Sequence, residues 1–98
     1  MSEPVLELVE FRTSGGAAAL HRAVQDMDPW LRAQPGFRWR RLAQFEDGAL
    51  LDLIEWADAA SATAAADQIM TAPQVAGFMA LIDGSSVVMR HARILVSR

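Results

Sequence analysis

The chain has 98 residues, 52% of them hydrophobic, and a net charge of −3, which bounds one domain with a single core and favours a second copy covering part of its surface. All nine basic residues are arginines, scattered rather than striped, so nucleic acid is not an expected partner and Schiff-base chemistry through a lysine is excluded. There is no cysteine, which removes a thiol nucleophile, a disulfide framework and a cysteine-bound metal.

Met1 to Pro4 lead directly into strand-like residues. No basic region precedes a long apolar segment, and no apolar run approaches membrane-spanning length, so neither a signal peptide nor a membrane contact is expected and a cytoplasmic location is the default. Val5 to Thr13 (VLELVEFRT) predicts a strand with Leu6, Leu8, Glu10 and Arg12 on one side and Val5, Glu7, Val9 and Phe11 on the other. Ser14-Gly15-Gly16 ends it. From Ala17, the spacing of Leu20, Val24, Met27 and Leu31 predicts a helix. Asp28-Pro29 resembles an N-cap followed by proline at the first helical position, so a kink or restart is expected there before Gln34-Pro35-Gly36 closes the segment.

Phe37 to Trp56 reads as a hairpin. Asp47-Gly48 suits a two-residue type I′ turn. Counting outward places Phe45 opposite Leu50, Ala43 opposite Asp52, Arg41 opposite Ile54 and Trp39 opposite Trp56 on one face. The other face then carries Gln44 with Leu51, Leu42 with Leu53, and an Arg40–Glu55 charge pair. Neither face is evenly polar, so both are expected to be covered.

Asp58 is the expected cap of an alanine-rich second helix, with a break near Thr71-Ala72-Pro73 and a further helical piece through Val75, Phe78, Met79 and Ile82 to Asp83-Gly84. Ser86 to Val96 predicts the last strand. The order strand, helix, strand, strand, helix, strand gives an α+β class: a ferredoxin-like βαββαβ sheet with helices on one face, residues 1–98 forming a single domain. The simplest cover for the other face is the same sheet of a second copy, which predicts a homodimer.

Three stretches carry a family resemblance: Pro35-Gly36-Phe37 between helix and strand, the strand LLDLIEW ending at Trp56 directly before the second helix, and Pro73 to Phe78 leading to a terminal strand. In these the chain resembles the dimeric α+β barrel superfamily, and within it the antibiotic-biosynthesis-monooxygenase group. The resemblance implies two subunits packed sheet to sheet. It also implies a pocket under the helices lined by Trp56, and cofactor-independent monooxygenation of hydroxylated aromatic or polyketide-like molecules, with neither cofactor nor metal. Asp52 falls where quinone-oxidising members are similar in carrying asparagine, and the pocket tyrosine of that group would fall near Ala62. Haem degradation is not expected, since the chain has no asparagine and no histidine between Asp58 and Asp83.

The residues themselves nominate a small set. Trp39 and Trp56, with Phe37 and Phe45, could stack a flat aromatic ligand or simply pack a core. Asp52, flanked by Leu50, Ile54 and Ala43, would be desolvated beneath two helices and suits a general base; the competing reading is a structural ion pair with Arg41. As catalytic candidates, Asp52 would abstract a proton, Arg41 would stabilise an oxyanion, and His91 would serve as a proton shuttle if an isomerase or lyase needed one. His91 in the last strand otherwise reads as structural, His21 as exposed, and the two histidines do not form a metal site. A non-catalytic binding or structural dimer of the same fold is the alternative. A cavity of ~300 Å³ or more separates an enzyme from it.

Overall fold

A computed structural model of the chain describes residues 3–98. The expectation about a leader falls partly on Met1 and Ser2, outside the described residues. Four strands, β1 (Val5–Thr13), β2 (Phe37–Gln44), β3 (Leu50–Trp56) and β4 (Ile82–Arg93), form one sheet in the order β2-β3-β1-β4 with every pairing antiparallel. Helices α1 (Ala17–Arg32), α2 (Ala59–Ile69) and the short α3 (Ala76–Leu81), entered through a 3₁₀ turn at Pro73–Val75, complete the ferredoxin-like α+β architecture. None of these helices is long and apolar enough to cross a membrane.

The sequence periodicity decides which face is which. Along β3, Leu50, Asp52, Ile54 and Trp56 are buried while Leu51, Leu53 and Glu55 are half-buried on the opposite face. Val5, Glu7 and Phe11 of β1 are buried on the same side as Trp56. Against that side α1 packs Ala23, Met27 and Leu31, α2 packs Ala62 and Ala65, and the Pro73–Phe78 stretch packs Val75 and Phe78. Phe11 and Phe78 meet edge to face with ring centroids 5.8 Å apart.

Three expectations are corrected. The helix does not restart at Pro29: α1 runs through it, and Asp28 pairs with Arg32 at 3.3 Å instead of capping. Met27 and Leu31, both fully buried, flank the proline, and their packing outweighs the hydrogen bond it removes. The last strand begins at Ile82 and ends at Arg93, rather than running from Ser86 to Val96, because Ile82 pairs with Thr13 and β1 offers nothing beyond Val5 for residues after Arg93 to pair with. A register shift lies between Glu10 and Arg12, where the Arg12 N–H donates to the Ser86 hydroxyl at 2.8 Å.

The third correction is the hairpin register. Phe45 N–H donates to Ala49 O at 2.8 Å, so the loop is the three residues Glu46-Asp47-Gly48. Gly48 alone has positive φ, at 92°, and Gly48 N–H donates to Phe45 O at 3.0 Å, a turn followed by a left-handed glycine. Asp47 keeps its ordinary backbone because its carboxylate has better partners, the Ala49 N–H at 3.0 Å and the Arg12 guanidinium at 3.0 Å. The extra loop residue shifts every pair by one: Gln44 faces Leu50, Leu42 faces Asp52, Arg40 faces Ile54, Arg41 faces Leu53 and Trp39 faces Glu55. A second irregularity at Arg38 puts Phe37 opposite Trp56. Leu42 therefore lies under the helices, not beside Leu53.

Candidate functional site

Between the sheet and the helices lies a cavity of 340 Å³. It exists because the helix above it is built of small residues: Ala65 and Ala66 form its ceiling, with Ile69 and Met70 at the end of α2. Trp56 and Ile54 form the floor, and Phe78, Met79, Trp30 and Met27 close the sides. Val87 and Met89 of β4 line the remaining wall. Among the described residues its carboxylates are Glu7 and Asp52 alone.

Glu7 projects from the middle of β1, 8% exposed, and its Oε1 accepts the Trp56 indole N–H at 2.8 Å. Burial raises its pKa above the ordinary carboxylate value. The Trp56 hydrogen bond and the charge of His91 pull it back, the charge of Asp52 adds to the rise, and desolvation wins. Among the described residues no guanidinium pairs with Glu7.

Asp52 is different. Arg40 grips it with both ends of its guanidinium, Nε to Oδ1 at 2.8 Å and Nη2 to Oδ2 at 2.6 Å, with side chains only 5% and 7% exposed. The guanidinium lies over the Phe78 ring, 5.2 Å from its centroid, while its buried Nη1 has no hydrogen-bond partner. This bidentate pair largely cancels its own charge within the wall of the cavity.

Of the residues nominated from sequence, Asp52 and Trp56 line the cavity. Phe37 stands behind Trp56, edge to face at 5.9 Å, and is not among the lining residues. Arg41 does not reach Asp52: the shifted register puts it on the outer face, over the Trp39 ring at 5.4 Å. Trp39 lies there with it, opposite Glu55 and not Trp56. Glu55 pairs with Arg38 at 3.0 Å rather than with Arg40. Phe45 sits at the hairpin turn, 45% exposed. His91 is exposed and lines a separate open groove with Pro4, Val5, Asp58 and Arg93, so Asp52 and His91 do not share the cavity. Among the described residues no group of three or more potential metal ligands occurs.

Sequence reasoning missed Glu7 and Arg40. Glu7 carried a signal, a single carboxylate in the stripe Val5, Val9, Phe11. Arg40 could not be found without the three-residue loop, since a one-residue slip exchanges the faces of the whole strand.

No protein-family model and no curated protein matches the chain. Solved structures do. SnoaB, a cofactor-independent oxygenase from Streptomyces nogalater, is 17% identical over 99% of this chain and 96% of that one, with a TM-score of 0.67. A candidate antibiotic biosynthesis monooxygenase from Bordetella bronchiseptica is 11% identical over 96% of this chain and 99% of that one, TM-score 0.76. A dimeric ferredoxin-like protein of unknown function from Jannaschia is 15% identical over 93% and 99%, TM-score 0.66. At these identities the likeness establishes the fold alone, a ferredoxin-like α+β sheet covered by helices on one face.

Proposed function

We propose that the protein is a homodimeric, cofactor-independent monooxygenase of small hydroxylated aromatic or polyketide-like molecules, working in the cavity between sheet and helices. The observation that carries this reading is the buried, guanidinium-free carboxylate of Glu7 facing an apolar cavity. A desolvated carboxylate with a raised pKa is a stronger base than one in water, which suits removal of a proton from an activated carbon. The volume, 340 Å³, lies at the small end of the roughly 300–1,000 Å³ typical of ligand pockets. The fold shared with a cofactor-independent oxygenase points the same way.

In this mechanism a ring CH₂ beside a carbonyl gives a proton to Glu7. The resulting carbanion passes an electron to dioxygen, the radical pair joins as a peroxide, and loss of water leaves a new carbonyl. The balance is CH₂ + O₂ → C=O + H₂O, with carbon oxidised and dioxygen reduced by four electrons. The protein supplies base, orientation and a dry environment, and the electrons are the substrate's. Trp56 holds the ring and orients Glu7. Asp52, expected from sequence to be the base, is assigned a positioning role, because its oxygens are occupied by Arg40. A second copy covers the outer sheet face, where Trp39 and Arg41 lie.

Oxygen uptake with a hydroxylated anthrone tests this. Wild-type protein should consume one O₂ per quinone formed, and Glu7→Gln, which keeps an acceptor for the Trp56 indole, should lose about 10²–10⁴-fold in kcat. A Glu7→Gln variant with wild-type turnover would remove Glu7 from the mechanism.

A further inference from the structure

Glu7 has a second neighbour whose position the oxygenase reading does not use. In the β1–β4 ladder Glu7 lies directly opposite His91, and both side chains project to the helix side of the sheet. Opposed residues of an antiparallel pair have Cβ atoms about 4.5–5.5 Å apart. Their surroundings differ sharply. Glu7 is buried and lines the cavity under the helices, whereas His91 is exposed and lines an open groove of 570 Å³ at the start of β1, the end of β4 and the N-terminus of α2. One cross-strand pair thus lies between the cavity and solvent at the groove.

We infer that Glu7 and His91 act as one acid–base unit, Glu7 exchanging a proton with the ligand in the cavity and His91 exchanging it with solvent at the groove. The inference rests on the oxygenase reading for the source of the proton. Glu7 gains a proton when the carbanion forms and must give one back when the peroxide breaks down and its hydroxide leaves as water, so between those two events the proton has to be held without being lost from the site. The imidazole takes the proton on one nitrogen in exchange with water at the other, and the same route returns one to Glu7 for the departing hydroxide, so the count closes with the product water formed, Glu7 ionised and His91 unchanged. Histidine suits this because its charge changes near neutrality. The charged groups around the unit are few. On the cavity side stand Asp52, paired with Arg40, and the Trp56 indole; on the groove side stand Glu3, Asp58 and Arg93. Lining residues from α1 and from α2 on the cavity side are Met27, Trp30, Leu31, Ala65, Ala66, Ile69 and Met70, with no ionisable side chain. His91 is therefore a positioning and proton-relay residue, not one that touches the ligand.

The Trp56 indole N–H, hydrogen-bonded to Glu7, reports the pair without any substrate. Its ¹⁵N and ¹H shifts, identified by comparison with Trp56→Phe, should follow two ionisations with pH in the ligand-free wild type. His91→Gln should leave one, displaced upward because the imidazolium no longer favours the carboxylate. His91→Arg should leave one without that displacement, and Arg90→Gln, on the outer face, should reproduce the wild-type curve. Superimposable wild-type and His91→Gln curves would overturn the inference. In turnover, His91→Gln should lower kcat less than Glu7→Gln does and recover with added imidazole, while a loss that imidazole leaves unchanged would contradict the relay. The two readings fail separately. Coupled titration without oxygen uptake removes the oxygenase and keeps the pair; Glu7-dependent uptake with uncoupled titration removes the pair alone.

Discussion

Glu7 and Asp52 are both carboxylates on one face of one sheet, and their partners give them different consequences. For Glu7 the folded-state pKa lies above the unfolded one because of burial, so the folded chain binds the proton more tightly and stability falls as pH rises through the raised value. Thermal melts should show wild type losing Tm from the ordinary carboxylate range up to that value and levelling off above it. Glu7→Gln should remove this slope; an unchanged slope would assign it to other groups. For Asp52, truncation to alanine leaves the Arg40 guanidinium buried without its partner and should cost about 3–5 kcal/mol. Replacing both residues together, Arg40→Met with Asp52→Leu, should cost much less. Urea unfolding of the two variants checks this, and equal losses would mean that the pair contributes through packing alone. Activity loss in Asp52→Ala cannot therefore be assigned to chemistry without the accompanying stability measurement.

At the scale of elements, a glycine sets where β2 meets its neighbours. Gly36 has φ of 83°, and a Cβ there would collide with both the hydroxyl and the Cβ of Ser61 at the start of α2, while Gly36 O accepts the Ala57 N–H at 2.7 Å. Gly36→Ala should cost about 1–3 kcal/mol from backbone strain alone, with the collision added. Gly36→Ala combined with Ser61→Gly, which removes both clashing atoms, should recover part of it in urea titrations relative to Ser61→Gly alone, and no recovery would point to the backbone only. The pattern Pro35-Gly36-Phe37 was legible, as were the Asp58 cap, whose carboxylate accepts the Ser61 N–H at 2.7 Å, and the break before Pro73. The hairpin register was not. Asp-Gly fits both a two- and a three-residue loop, and the choice depends on Arg12 reaching Asp47 from β1, a contact 35 residues away in sequence. Because side chains alternate, that one undetermined residue moved Arg40, Arg41 and Trp39 to opposite faces from those expected, and with them half of the candidate site.

For the whole molecule, the sheet has one face under helices and one without. Leu6, Leu8, Leu51, Leu53 and Trp39 are all half-buried on the outer face of a single chain. On the proposed reading a second copy covers this face, so sedimentation should give about twice the 10.7 kDa chain mass, and Leu53→Arg should shift the species to the monomer. A wild-type monomer would contradict it. The apolar excess in composition foreshadowed this surface, but only the observed register separates the outer leucines from those that pack beneath α1 and α2.

The central claim is that the cavity holds the ligand with its acidic carbon at Glu7. The most direct test is a crystal structure of the protein soaked without oxygen in a small hydroxylated anthrone. The account predicts the ring system between Trp56 and Phe78, with the acidic carbon or its hydroxyl tautomer within hydrogen-bonding reach of a Glu7 oxygen. A cavity filled instead by Met27, Met70 and Met79, with no ligand beside Glu7, would contradict it and leave a structural dimer of the same fold.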